Sequence, residues 1–532
     1  MKSVMTHSFA QVPGVSVPRS SFNRNHGIKQ PMDFDLLYPI FHDQMVPGDT
    51  ATLRFNGFGR LATPIFPVMD NMFIDTFFFA VPCRLVWDNF EKFHGEQDNP
   101  DDSIDYLIPT QTSYPDTGYV FGELSDYFDI PPGVPDLEHS SMFHRAYNLI
   151  WNQWFRSENL QDSLPVPKGD GPDDPADFAL VKRGKRFDYF TSCLPFAQKD
   201  FGNPVLLPLG DTAPVQGLGV TDIAPNAVGP VTVRETSSPQ VTTQYASGWD
   251  SSIAGNQWFI EEDGTNPNWP GVYADLSLAT SSTINDLRLA FQIQKMQERD
   301  ARGGTRYVEI IKSHFGVTSP DFRLQRSEYL GGGSTPIGIN QVPSTVPTDI
   351  GNAPQGSLAA YGTVGIKGQG FTKSFTEHTL VIGLACARSD ITYQQGLDRM
   401  MSYSTRFDHY FPSFAHLGEQ AVLQKEIFAS GIPAEDNLVF GYNERYAEMR
   451  YKKSSIRGAF RSNHPQTLDP WHLSQDFANA PTLSGQFIEQ NTPIERVIAV
   501  PEEPDLILDG YFQYTHARPL PTYGTPGMID HF

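Results

Sequence analysis

The sequence predicts a mainly β protein, most of it folded as one large β unit. Three observations carry this. The 532 residues include 44 Gly and 43 Pro, too many for a helical protein and suited to short strands joined by many turns. Strand-like stretches recur from residue 47 to the far end of the chain, with helices and long insertions between them. Aromatic residues make up 12% of the sequence, beyond what a disordered chain carries, so a chain this long can bury a generous core.

Taken in order, residues 1–32 hold Lys2, Arg19, Arg24 and Lys29 and no acid before Asp33. No period is visible there, and an extended basic arm is expected. From Pro47, "PGDTATLRFNGFGRLATP" alternates Leu53 and Phe55 against Thr52, Arg54 and Asn56, a half-buried strand. The run "MDNMFIDTFFFAVP" (69–82) follows. It is far shorter than the ~18–20 apolar residues of a membrane helix, and Pro64, Pro67 and Pro82 bracket it. It reads as a strand covered on both faces. Within it, Asp70 is expected to cap the entering turn. Asp75 is expected to find a hydrogen-bond or ion-pair partner, because a lone buried carboxylate is costly.

Three helices are predicted over a sheet. "RLVWDNFEKFHGE" (84–96) ends at Gly95. "SSMFHRAYNLIWNQWFRSENLQ" (140–161) repeats Phe143, Tyr147, Ile150 and Trp154, with Ser140 or Ser141 as cap. "STINDLRLAFQIQKMQERDARGGTRY" (282–307) starts with Thr283 and Asp286 in capping-box register and stops at Gly303 and Gly304. Two segments differ. Residues 203–275 hold one basic residue, Arg234, against eight acids, with β-like pieces such as "PVTVRET" and "QWFIEE". Residues 331–362 carry a single charge, Asp349. Connections this long are usually functional insertions, so both are expected as surface loops. Strand pattern returns in "KSFTEHTLVIGLACAR", "FGYNERYAEMRYKKSSI", "RVIAV" and "DGYFQYTHARPLP".

The balance of 39 Lys+Arg against 61 Asp+Glu gives a net charge of −22. That argues against a whole surface gripping nucleic acid but leaves room for one basic face. Cys83, Cys193 and Cys386 are far apart and odd in number, offering neither a disulfide framework nor zinc spacing, as in a reducing compartment. The opening residues lack the apolar core of a signal peptide. No nucleophile elbow, H-E-x-x-H, Walker loop or C-x-x-C is present, so no catalytic residue is expected. "DNPDDSID" (98–105) and "GDGPDDPAD" (169–177) lack the glycine and terminal Glu of an EF-hand and read as solvated acidic loops. No cofactor or metal ligand is therefore assigned, with structural calcium left open at no named residue.

Two basic clusters are more informative. "VKRGKR" sets Lys182, Arg183, Lys185 and Arg186 ahead of "FDYF". "RYAEMRYKKSSIRGAFR" sets Arg450, Lys452, Lys453 and Arg457 among Tyr446, Tyr451 and Phe460. Cations neutralise phosphates while rings stack on unpaired bases, a mixture suited to single-stranded nucleic acid. It suits a strand edge or an ion-paired interface as well. With the four cations of the arm, these are the candidate nucleic-acid contacts.

Several stretches together, "SSFNRNHGIKQPMDFDLLYPIFHDQMVPGDT", "ATPIFPVMDNMFIDTFFFAVPCRLVWDNFEKFHGE", "RAYNLIWNQWFRSENLQD", "NDLRLAFQIQKMQERDARGGTRY" and "RFDHYFPSFAHLGEQAVLQKEIFA", resemble the major capsid proteins of the Microviridae, most nearly the gokushovirus branch. The resemblance spans essentially the whole chain. It implies a viral eight-stranded antiparallel jelly roll, a β-sandwich elaborated by long loops and helices in a single domain from residue 33. It implies a T=1 icosahedral homo-oligomer enclosing circular single-stranded DNA and assembled in the bacterial cytoplasm. Residues 203–275 would form the protrusion at the three-fold axes, facing a host surface receptor. Implied partners are a small basic DNA-packaging protein, an internal scaffolding protein and a DNA pilot protein. The competing readings are a carbohydrate-active or carbohydrate-binding β-sandwich, whose opposed carboxylates no spacing can place, and a phage tail or spike protein, whose repeats are not visible.

Overall fold

The computed structural model describes residues 18–199, 284–303, 307–316, 325–345 and 355–523, with four short strands between 215 and 274. The chain divides into two compact units: Met1–Ala197 with Val317–Phe532, and Gln198–Gly316.

The first unit is a jelly-roll β-sandwich. Its strands are β1 (Ser20–Asn23), β2 (His26–Met32), β3 (Tyr38–Met45), β4 (Thr50–Leu61), β5 (Met72–Pro82), β6 (Glu328–Pro336), β7 (Gly338–Pro343), β8 (Leu358–Ser374), β9 (Thr379–Ser389) and β10 (Leu506–Arg518). A six-stranded sheet runs β1–β10–β4–β8–β7, with β2 beside β1 on the same edge of β10, and a four-stranded sheet runs β6–β5–β9–β3. All these pairings are antiparallel. The two sheets therefore hold ten strands rather than the eight expected. The extra pair lies in the predicted arm, whose residues 20–32 complete the ladder along β10 from Leu506 to Arg518. Pro31 is tolerated there because β2 is an edge strand.

Alternation sets the inner faces. Leu53 and Phe55 of β4 and Leu508, Phe512 and Tyr514 of β10 point inward against Ile74 and Phe78 of β5 and Phe41 of β3. Ring centroids of Phe55 and Phe512 lie 4.7 Å apart, and those of Phe78 and Phe371 lie 5.8 Å apart. On the outer face of the four-stranded sheet, Phe79, Val81, Leu380, Ile382, Leu384 and Cys386 pack under helix α1 (Met142–Trp154) through Ala146, Tyr147, Ile150 and Trp151. β5 and β9 are thus buried on both faces, which is why their sequences show no polar alternation.

Asp75 sits inside this apolar strand. Its Oδ2 accepts from Arg388 Nε at 2.8 Å and from Arg183 Nη1. Burial alone would raise its carboxyl, but Ser334 and the two guanidinium groups bring it below the usual carboxylate range. Burying each phenylalanine contributes about 1.5–3 kcal/mol, so a carboxylate held this way is tolerated among them. Asp70 accepts from Asn71 N and Leu473 N, both at 2.8 Å, tying the entry of β5 to a distant loop.

Several expectations are corrected. Within 331–362, expected as a surface loop from its length and lack of charge, residues 331–336, 338–343 and 358–362 are strand. Gly331, Gly332 and Gly333 of β6 face Phe78, Phe77 and Thr76 of β5, and side chains there would collide with neighbouring backbone and with Gln369. The predicted helix at 84–96 shrinks to two single turns, Cys83–Leu85 and Phe90–Phe93. Trp87 between them is fully buried and donates to Asp170 Oδ1 at 2.7 Å. Gly95, at φ +98°, still ends the segment. "RVIAV" (496–500) follows a 3₁₀ turn at Ile494–Arg496 and keeps a single bridge, Ile498 with Pro64, instead of a strand.

The second unit contains α2 (Ile284–Arg302) and α3 (Tyr307–Phe315). In α2, Leu289 and Phe291 are 60% and 64% exposed. Within 203–275 two short ladders are described, Val215–Gln216 with Tyr273–Ala274 and Pro230–Arg234 with Val241–Tyr245. The rest of that segment, including "QWFIEE", lies outside the described residues.

α1 carries a buried titratable group, His144, bonded to Ser125 Oγ at 3.0 Å and pushed down to about 3 by burial and by His139. The unfolded chain binds this proton near pH 6.5 and the folded chain does not, so stability falls as pH drops from about 6.5 toward 3, by up to about 1.4 kcal/mol per pH unit. Urea midpoints of subunits with His144→Gln are expected to lose part of that slope. An identical slope would mean other groups set the acid sensitivity.

Candidate nucleic-acid interface

The segment 181–187 is fixed by backbone bonds on both sides. Arg183 N donates to Asp35 O at 2.8 Å and Lys185 N to Ile488 O at 2.7 Å, while Arg183 O accepts from Gln490 N at 2.9 Å. This extended geometry sorts its cations. Arg183 turns to Asp75 and lies 5.1 Å from the Phe77 ring centre. Lys185 is buried: its Nζ donates to Phe487 O at 2.6 Å and Gln475 Oε1 at 3.1 Å, and burial pushes it down to about 8. Lys182 reaches Asn491 Oδ1 at 3.2 Å. Arg186 is exposed, and Phe187 beside it is 83% exposed.

The second cluster meets the first. Arg186, Phe187, Arg388, Lys452 and Lys453 line one hollow of 260 Å³ together with Asp188 and Asp390. Lys452 and Lys453 flank Asp398 at 2.9 and 3.2 Å, and those bonds, Lys452 first, hold its carboxyl low against the effect of burial. Lys453 also donates to Glu426 O at 2.8 Å, and burial lowers its pKa although Asp398 opposes this.

On the other side of Arg186 lies a larger cavity of 590 Å³ walled by Phe77, Phe79, Trp154, Phe155, Tyr329 and Ile488 and rimmed by Arg156, Arg183, Lys185, Arg186 and Phe187, with no carboxylate among the described residues of its lining. Phe79 lies 5.5 Å from both Trp154 and Tyr329, and Arg326 lies 5.6 Å from the Trp154 ring centre. Arg156 and Arg186 form no ion pair among the described residues. Trp154 and Tyr329, 41% and 43% exposed, beside uncommitted guanidinium groups suit an unpaired base with its phosphate.

Five predicted contacts, Arg183, Lys185, Arg186, Lys452 and Lys453, thus come together, with Lys182 on the same segment. The others do not join them. Arg450 pairs with Glu444, and Arg457 is exposed in a separate turn. Arg19 donates to Gly48 O at 2.7 Å, Arg24 pairs with Asp43, and Lys29 lies 3.3 Å from Asp509. Lys2 lies outside the described residues. Sequence reasoning missed Arg156 and the ring wall. Its pattern assigns Trp154 to a packed helix face, yet the residue is 41% exposed at the end of α1.

The acid clusters have local structural roles. Asp170 accepts from Trp87 and Asn89, Asp173 pairs with Arg145, and Asp102 accepts from Asn99 N and Asp98 N.

A jelly-roll sandwich with very long connections and a surface of cations and rings is the build of a viral coat subunit, a protein that acts through its faces. Residues 10–528 match the family described as "Capsid protein (F protein)", and the chain belongs to that family of phage capsid proteins. It is 50% identical over 540 residues to capsid protein VP1 of Bdellovibrio phage phiMH2K, covering 99% of this chain and 98% of the relative. It is 40% identical to capsid protein VP1 of Chlamydia phage 1, with 99% and 98% covered, and 36% identical to that of Spiroplasma virus 4, with 98% and 97% covered. The resemblance to the Microviridae is borne out, and the chain is a structural component of a virion that assembles with copies of itself.

Proposed function

We propose that the chain builds a T=1 icosahedral shell around circular single-stranded DNA, in the cytoplasm of a bacterial host. The observation that carries the DNA part is the meeting of two distant basic clusters beside a ring-walled cavity with no carboxylate among its described lining residues. Contacts around the symmetry axes are head-to-tail, and a shell closes when their rotations close. Many modest contacts engaged at once make release of one subunit rare. In this reading the acidic 203–275 insertion faces outward at the three-fold axes and meets the host receptor, since a DNA-facing loop would carry Lys and Arg. The net charge of −22 leaves genome neutralisation to local patches and to a small basic packaging protein. The scaffolding and pilot proteins act in assembly and delivery, and no cofactor or enzymatic step is assigned.

Co-expression with these partners and electron microscopy test the reading: uniform small shells containing single-stranded DNA are expected, and persistent monomers would overturn it. Within such shells, Arg186→Ser with Phe187→Ser is expected to reduce packaged DNA while shells still form. Both side chains are exposed, so unchanged DNA content would remove this site from the DNA contacts.

A further inference from the structure

The two outer faces of the sandwich differ. The four-stranded sheet is covered by α1, whereas outward side chains of the six-stranded one are exposed. Along β4, β8 and β10 every second side chain points out to solvent, and these positions hold Arg54, Phe58, Arg60, Tyr361, Lys367 and Tyr511. Phe58 is 56% exposed, Tyr511 46% and Tyr361 43%. Arg60 stands opposite Ile507 and Thr363, and Arg54 opposite Gln513 and Gly370, so cations and rings share one continuous surface. Arg54, Arg60 and Lys367 have no hydrogen-bond or ion-pair partner among the described residues. The one acid on these outward positions, Asp509, is 3.3 Å from Lys29. A shallow hollow lined by Phe58, Lys367, Asp509 and Tyr511 lies at the middle of the face.

In a chain of net charge −22, a bare sheet face with three uncommitted cations and exposed rings is complementary to a polyanion that carries flat bases. We propose that this face binds single-stranded DNA, as a second binding surface separate from the 182–187 site. The inference rests on the reading of the chain as a shell around such a genome. Arg54 to Arg60 spans about 20 Å of strand, enough for a short run of nucleotides. The rings stack on bases without regard to sequence, and the cations neutralise the phosphates beside them. Arg and aromatic residues are also common where copies of a chain meet, so an interface between copies is the competing outcome of the test.

The test uses full-length subunits and assembled particles of the parent, of Arg54→Ser/Arg60→Ser/Lys367→Ser, and of Phe58→Ser/Tyr511→Ser. Oligothymidylate binding is measured across a salt series, alongside DNA content per particle and subunit melting. The cation variant is expected to lower the salt slope by about 2, at ~0.7 for each phosphate that is no longer neutralised. The ring variant is expected to weaken binding about ten-fold or more with its slope kept. Unchanged slope and affinity in folded variants would overturn the proposal, as would folded variants that no longer form shells, which would make the face an interface between copies. Parent particles that package DNA alongside variants that package it equally well sink this inference alone. A parent that forms no shells sinks the reading beneath it.

Discussion

Replacing Arg145 with alanine is expected to remove about 3–5 kcal/mol of subunit stability, most of what a marginally stable fold holds. The Arg145 side chain is fully buried in α1, and its Nε and Nη2 meet Asp173 Oδ2 and Oδ1 at 2.6 and 2.7 Å. Its Nη1 donates to Val86 O at 3.0 Å and Gly169 O at 2.9 Å. Truncation would leave a buried carboxylate and two carbonyls without their donor, in the layer that clamps the helix to the four-stranded sheet. Arg145→Lys keeps the charge but loses the fork, so an intermediate loss is expected. Arg145→Met with Asp173→Leu removes both charges and should recover much of the deficit. Urea denaturation of the three variants measures this. A loss below about 1 kcal/mol in Arg145→Ala would mean that the carboxylate relaxes to water.

Gly332→Ala is expected to cost about 3 kcal/mol or more, the upper end of overpacking effects. A Cβ at this position would lie 2.0 Å from Thr76 O, and the neighbouring Gly331 would place one 2.4 Å from Gly370 O. Those atoms belong to strands in both sheets, so neither can yield without breaking a ladder. Gly365→Ala is the control: a Cβ there meets nothing within 4 Å, and a change within about 0.5 kcal/mol is expected. Equal melting of the two variants would show that β6 can shift away from β5.

These two positions also show what the sequence could and could not reveal. The Phe73–Val81 run was legible as a strand buried on both faces, because its composition lacked alternation and prolines bracketed it. The need of Asp75 for a partner followed from the cost of a lone carboxylate. Its partners, Arg183 and Arg388, did not follow, since pairing across such sequence distances is decided by topology. The strands β6 and β7 were not legible because a long, nearly uncharged, glycine-rich stretch fits a surface insertion as well as strands in close backbone approach. At the candidate interface, basic residues interleaved with aromatics singled out Arg186, Lys452 and Lys453, which the fold brings to one hollow. The same pattern also selected Arg183 and Lys185, which the fold largely commits to internal bonds. The ring wall of Phe79, Trp154 and Tyr329 joins three distant segments, and no local pattern announces it. The outward period of Arg54, Phe58 and Arg60 was present in the alternation of β4, but its charge gained meaning only once β8 and β10 were seen to flank it.

The position of β10 has a consequence for how the subunit comes into being. β10 lies between β4 on one side and β1 and β2 on the other, so these strands share a partner translated several hundred residues after them. Until residues 506–518 leave the ribosome, β4 keeps an open edge and β1 and β2 have no ladder to join. The six-stranded sheet is therefore completed only once that strand is made, and a chain stalled short of it has neither the finished sheet nor its outer face. Subunits truncated before residue 506 are therefore expected to be kept out of the shell by geometry, a form of quality control written into strand order.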